Sequence, residues 1–275
     1  VHDPSQGTLE LDLAMTLNST ATPDAGELAL ARAVPYRLAS LALRHPSAGW
    51  DAAEWSRLRE GLPIALEACG AGQALLNAAR ELVQIAPDSE ELLEAYGQHF
   101  GHTPRAASTP YETEWSGSAG DLLQFHQLSD VSAFYKAFGL ELARECGERE
   151  DHLSIELGFL HFLCVKEAYA AEDELDDLAA QALDAQRIFL AEHVATWTPA
   201  FCARLERAIG TGFYASLARF LAIWIAAECD RFQVEPGDPA LEPGTSSVTL
   251  DDCCVNCDQA TACPGPGGLD EASDG

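Results

Sequence analysis

Hydrophobic positions recur at helical spacing through most of the chain. From Leu28 to Ala42, the positions Leu28, Ala31, Val34, Leu38, Leu41 and Ala42 follow a three-to-four spacing, which gathers apolar side chains on one helix face. Thr22 as N-cap with Pro23 at the first helical position predicts the start of this helix. Pro35, which lacks the amide hydrogen, predicts a kink or an early end. Shorter pieces are expected over 51–59 and 63–69, and a longer one over 72–85. Asp88 followed by Glu91 predicts a capping box for a helix reaching His99. Further helices are predicted over 121–138, stopping at Gly139, from Asp151 to about Ala171, and over 173–196, 199–209 and 212–229. Sustained period-2 alternation is missing, and no Asn-Gly or Asp-Gly step lies between two such runs, so no sheet is predicted. The expected fold class is all-α, a single helical bundle.

The pattern breaks over residues 100–120, where Pro, Gly, Ser and Thr mark a long loop joining two helical halves; loops of this length in compact domains carry function or are disordered. Residues 1–21 read as a flexible N-terminal segment and 22–231 as the helical domain. After Arg231 there is no Lys or Arg. Residues 232–275 therefore read as a flexible acidic tail, too poor in apolar surface to offset its ordering entropy unless a metal organises it.

Charge narrows the function classes. Forty-four acidic residues against sixteen basic ones give a formal charge of −28. Such a surface repels phosphate backbones and anionic headgroups, so nucleic acid is not an expected partner, and a cationic one is. The longest apolar run, 220–227, is far short of the roughly 20 residues a membrane span needs. Residues 1–20 show no basic segment followed by an apolar one, and a cytoplasmic location is expected. Gly-x-Ser-x-Gly, Gly-x-x-x-x-Gly-Lys and His-Glu-x-x-His are all absent, so an enzyme is not expected.

Four groups of residues carry candidate chemistry. Tyr111, Glu112, Glu114 and Trp115 interleave aromatics with carboxylates, a surface that accepts Arg or Lys through cation–π contacts and charge-assisted hydrogen bonds. The same residues equally suit a loop pinned to the bundle by Tyr111 and Trp115. Asp130 precedes a stripe of Val131, Phe134, Tyr135 and Phe138 that reads first as core. Glu148 to Asp151 place acids at a helix N-terminus, and His152 and Glu156, four apart, share a face and can pair. Cys253, Cys254, Cys257 and Cys263 crowd into the tail. The Cys254-x-x-Cys257 step is a two-point metal grip that the other two could complete for Zn or an Fe–S cluster, with a simple thiol tail or a redox disulfide as the alternatives. Cys69, Cys146, Cys164, Cys202 and Cys229 lie singly in helical segments and read as small buried hydrophobes.

Three of these groups, in this order, carry a resemblance. The aromatic-acidic loop at Tyr111–Trp115, the run Phe134–Leu140 and the Asp-His motif within Glu148–Leu160 together resemble the redox-enzyme maturation chaperones of the TorD/DmsD/NarJ type. The resemblance spans roughly residues 25–230 and extends weakly to His193, Trp197, Phe213, Tyr214 and Leu217. Arg149 stands where many members have proline, and the cysteine tail lies outside the pattern. The resemblance implies an all-helical, non-enzymatic chaperone that requires no cofactor. Such proteins bind the twin-arginine signal peptide, or the apo form, of a molybdenum-cofactor oxidoreductase in the cytoplasm. The client-contacting residues on this reading are Tyr111, Glu112, Glu114, Trp115, Asp130, Tyr135, Asp151, His152 and Glu156. Exposed ion pairs contribute only about 0–1 kcal/mol each, so a micromolar complex, about −8 kcal/mol, needs an apolar groove as well. Monomer and domain-swapped dimer both remain open. The alternative is a helical metal or Fe–S redox protein acting through the cysteine cluster.

Overall fold

A computed structural model describes residues 23–48, 50–85, 87–100, 108–115, 121–143 and 147–244. The first helix, α1 (Ala25–Leu43), starts one cap later than expected. Asp24 accepts the Glu27 amide at 2.8 Å while Glu27 accepts the Asp24 amide at 3.0 Å. This reciprocal box satisfies two end amides at once. Pro35 lies inside α1 without ending it, flanked by the buried Val34 and Tyr36. Helix α2 (Ala52–Ala68) likewise runs through Pro63 as one element, capped by Asp51. Its buried Trp55, Leu58, Leu62, Ala65 and Leu66 hold a single face to the core across the proline. Burial outweighs one lost backbone bond in both cases. Two helices follow the expected bounds closely, α3 (Gln73–Gln84) and α4 (Ser89–His99). Asp88 caps α4 through the amides of Glu90 and Glu91.

Next come α5 (Asp121–Ala137), α6 (Leu153–Glu172) and α7 (Asp176–Phe189). The break expected between residues 196 and 199 is absent. A π-turn over Leu190–Val194 leads directly into α8 (Ala195–Ile209), with Pro199 inside it, and α9 (Phe213–Phe232) completes the bundle. Helix α1 packs chiefly on α6 and α2, and α9 on α8 and α3. Trp197, Trp224, Tyr36, Tyr214, Phe189, Phe201 and Phe220 fill the interior. Among the described residues the β pairing consists of one isolated bridge, Tyr111 to His152.

Residues 233–244, expected in the tail, instead lie on the bundle. The helix end is a Schellman-type turn, with Gln233 at φ 55° and the Val234 amide bonded to the Cys229 carbonyl at 2.9 Å. Pro199 has no amide to offer the Ala195 carbonyl, and the Gly237 amide takes it at 2.8 Å. A Cβ on Gly237 would sit 2.0 Å from the Thr196 carbonyl oxygen, so only glycine allows this approach. Val234 and Leu241 pack on the core, Glu242 pairs with Arg204, and the Gly244 amide reaches the Glu114 carbonyl at 2.7 Å.

A buried ionic knot ties four helices together. Arg32 of α1 reaches Glu228 of α9 through Nε and Nη2, the shortest contact 2.6 Å, and Glu167 of α6 at 3.4 Å. Tyr36 donates to Glu228 at 3.0 Å, and Gln186 of α7 donates to Glu167 at 2.7 Å. Arg32 between Ala31 and Ala33, and Glu228 directly after the apolar run 220–227, were the signal for this knot, and the sequence reading passed over it. Removing one partner of such a pair strands a charge in the interior. Arg32→Met should therefore lower stability by about 3–5 kcal/mol, and the double change Arg32→Met/Glu228→Leu should recover most of that loss. Urea denaturation of the full chain checks both values.

Candidate functional site

The long loop and the turn before α6 are joined by their backbones. The Glu112 amide donates to the Asp151 carbonyl at 3.0 Å, and the Leu153 amide donates to the Pro110 carbonyl at 2.9 Å. The loop then coils into a short 3₁₀ turn, Glu112–Trp115. The Asp151 carboxylate accepts the Thr113 amide at 3.2 Å and its hydroxyl at 2.8 Å. On the outer side, Arg149 forks onto the same carboxylate, with Nε 2.9 Å from Oδ1 and Nη2 2.5 Å from Oδ2. Its Nη2 also donates to the Thr113 hydroxyl, its Nη1 lies 3.5 Å from Glu114, and its guanidinium sits 4.7 Å over the Tyr111 ring. The charge of Asp151 is thereby matched although the residue is fully buried.

His152 caps α6. Its Nδ1 accepts the Ser154 amide at 3.1 Å, which leaves the ring proton on Nε2, facing Tyr96 Oη at 3.4 Å and Glu148 at 4.0 Å. Tyr111 donates to Glu148 at 2.7 Å and crosses the His152 ring edge to face. Burial pushes the His152 ring down to about 4, only partly opposed by Glu148 and Asp151.

Beneath this layer is a second one. The Glu112 carboxylate meets His193 Nδ1 at 3.2 Å, with His193 carried on the π-turn between α7 and α8. π-turns often mark functional positions. Both oxygens of Glu156, Nε2 of His193 and the Trp197 indole nitrogen are buried without a well-formed hydrogen bond. Burial, then the charges of Glu112 and Asp151, pushes the Glu156 carboxyl well up, so it holds its proton. The Trp115 indole donates to the Thr109 carbonyl at 3.0 Å, and its ring packs on Trp197 and Phe201.

The structure thus redistributes the residues expected to touch a client. Tyr111, Glu112, Glu114, Trp115, Asp151, His152 and Glu156 do converge on one region, but Glu112, Trp115, Asp151, His152 and Glu156 are interior. Their carboxylates and rings hold the loop instead of facing solvent: Arg149 forks onto Asp151, His193 meets Glu112, and Glu156 keeps its proton. The expected His152–Glu156 pair is not formed, since Ser154, Tyr96 and Glu148 surround the His152 ring. Tyr135 is buried too, donating to the Glu150 carbonyl at 3.0 Å and packing on Phe159 and Phe189, so the stripe on α5 is core. Tyr111 and Glu114 are partly exposed, and Asp130 is exposed. Phe125 on α5, which the sequence reading left unremarked, is 71% exposed. Gln124 beside it donates to the Thr113 carbonyl at 3.2 Å, tying this end of α5 to the loop. Cys253, Cys254, Cys257 and Cys263 lie outside the described residues. Among the described residues no group of three or more His, Cys, Asp or Glu is placed to hold a metal ion, and no helix is long and apolar enough to cross a membrane.

A helical bundle with an aromatic-acidic loop latched to an Asp-His turn defines a class, and comparison with known proteins identifies it. Residues 67–203 match the family model described as nitrate reductase delta subunit. The chain is 29% identical over 231 residues to the perchlorate reductase assembly chaperone protein of Dechloromonas aromatica, covering 80% of this chain and 98% of that one. It is 28% identical over 150 residues to the chaperone protein TorD of Photobacterium profundum, covering 54% and 67%. Over 79 residues it is 40% identical to the chlorate reductase assembly chaperone protein of Ideonella dechloratans, covering 29% and 40%. No solved structure matches the chain. The chain belongs to the TorD/NarJ family of redox-enzyme maturation chaperones. Its role is that of a non-enzymatic chaperone in oxidoreductase maturation.

The buried groups set a pH dependence of stability. As the pH falls below 6.5, the unfolded chain protonates His152 while the folded chain does not until about 4. His161, partly buried with its Nδ1 3.0 Å from the Ala33 carbonyl, is also pushed down to about 4 by desolvation. Each histidine contributes stability above pH 6.5 that is lost between 6.5 and about 4, at about 1.4 kcal/mol per pH unit. Glu156 has the opposite sign. Above the ordinary carboxylate range the unfolded chain ionises it and the folded chain does not, so it subtracts stability as the pH rises. Urea midpoints across pH should show a shallower acid limb for His152→Gln, and for Glu156→Gln a gain larger at pH ~8 than at pH ~5.

Proposed function

We propose that the protein is a cytoplasmic, system-specific chaperone. It binds the signal peptide or the apo form of a molybdenum-cofactor oxidoreductase and assists its maturation before export or assembly. Relatives named as assembly chaperones of perchlorate and chlorate reductases support an oxidoreductase client. The observation that carries the peptide-binding part is the surface left open beside the latched loop. There the exposed Phe125 and Asp130 share α5, and Gln124 ties the same helix to the loop that bears Glu114. An apolar anchor among carboxylates, on a chain of net charge −28, suits a segment with paired arginines followed by an apolar stretch. Burying the Phe125 ring contributes about 1.5–3 kcal/mol, and carboxylate contacts supply steering and register more than affinity.

Calorimetric titration with a twin-arginine signal peptide tests this reading. Raised salt and an Arg-Arg to Lys-Lys change in the peptide should each weaken binding. Phe125→Asp should weaken it about tenfold or more with the melting temperature unmoved, because the ring is already in water. Affinity indifferent to all three changes rejects the reading.

A further inference from the structure

Around Arg149 the fold has built a receptor for a guanidinium group. The face of Tyr111 lies under the guanidinium plane at 4.7 Å. The buried carboxylate of Asp151 takes its fork at 2.9 and 2.5 Å, the Thr113 hydroxyl accepts from its Nη2, and Glu114 stands at 3.5 Å from its Nη1. A planar cation with several donors matches this arrangement, and a point-charge ammonium does not. We propose that this is a guanidinium-binding site which Arg149 fills from within the chain, and that an arginine of the client segment enters it by displacing Arg149. The inference rests on the peptide-binding reading above.

Three features favour exchange over a fixed clamp. First, the receptor has supports of its own. Asp151 is also held by the amide and hydroxyl of Thr113, its carbonyl by the Glu112 amide, and the Tyr111 hydroxyl by Glu148 at 2.7 Å. Second, Asp151 is fully buried, so the site demands a cation: without Arg149 its ionised carboxylate would face only the neutral donors of Thr113. Third, the occupant is accessible from solvent. The Arg149 side chain is 45% exposed and lies on the connection that follows Gly147, a residue at φ 70°. Its departure needs rotation of one side chain and no helix opening. Exchange of one guanidinium for another keeps the Asp151 charge matched throughout, and Thr113 connects the site to the Phe125 end of α5.

The test uses the full chain with Arg149→Ala, and methylguanidinium with methylammonium at equal concentration as probes. The variant should melt below the wild type. Methylguanidinium should raise its melting temperature by about 2–4 °C, methylammonium should not, and the wild type should respond to neither. A twin-arginine peptide should bind the variant about tenfold more tightly than the wild type, since one internal competitor is gone. Equal response to the two probes overturns the site. A methylguanidinium-specific response with unchanged or weaker peptide binding overturns the displacement. If neither protein binds the peptide, the displacement falls together with the peptide-binding reading, and the melting arm still decides the site. If Arg149→Ala does not fold, Arg149→Lys takes its place: its ammonium cannot fork, so the peptide should again bind more tightly than to the wild type. Equal affinity there overturns the proposal.

Discussion

The carboxylate and carbonyl of one residue, Asp151, hold the two halves of this molecule in register. Between them they take the amides of Glu112 and Thr113, the Thr113 hydroxyl and the fork of Arg149. Hydrogen bonds to a charged group contribute about 1.5–3 kcal/mol each where the alternative is an unmet buried charge. That grip makes residues 108–115 part of the core, with Ser108, Thr109, Glu112, Thr113 and Trp115 buried. It seats Trp115 against Trp197 and Phe201 and leads the chain into α6 with His152 as the cap. Without it, the aromatic interior between α8 and the loop would lose its cover on one side.

Carboxylates are plentiful here and cations scarce, and the interior shows how the shortage is handled. Glu228 is matched by Arg32, Asp151 by Arg149, Glu112 faces His193, and Glu156 keeps its proton. A matched guanidinium at Glu228 and at Asp151, and a retained proton at Glu156, offset the cost that a low-dielectric interior sets on a bare carboxylate. The pairs Arg32–Glu228 and Arg149–Asp151 each cancel one positive and one negative charge, so they leave the formal net charge of −28 unchanged.

Helix positions were legible because the apolar spacing that predicts them is also what the core needs. The errors were local. Pro35 read as a kink or an early end and Pro63 and Pro199 as the starts of new helices, because the sequence shows the missing amide and not the burial that holds each helix together across it. The cap was expected at Thr22, whereas Asp24 takes it, because Glu27 returns its bond. The loop and the Asp-His motif were both legible as a group, but which way their side chains turn depends on contacts between segments some forty residues apart. Spacing places His152 and Glu156 on one face; only the arrival of Tyr111, Glu112 and Thr113 gives them different neighbours. Residues 233–244 read as tail because Val234 and Leu241 are few and far apart, and their hold rests on a carbonyl that Pro199 leaves open.

The burial of Asp151 and His152 changes what a substitution there means. A client segment that reached His152, or reached Asp151 from any side but that of Arg149, would first have to lift the loop, giving up the Asp151 bonds and exposing Trp115. The binding-competent fraction of such a protein would be small, and apparent affinity falls in proportion to that fraction. Contact at Phe125, Asp130 and Glu114 carries no such penalty, and neither does exchange at Arg149, where one matched guanidinium replaces another. On the proposed reading, then, the motif that marks the family in sequence acts by fixing the loop, and the partly exposed rim around it makes the contact. Loss of client binding on changing Asp151 would accordingly come with a loss of stability, whereas loss at Phe125 would come alone.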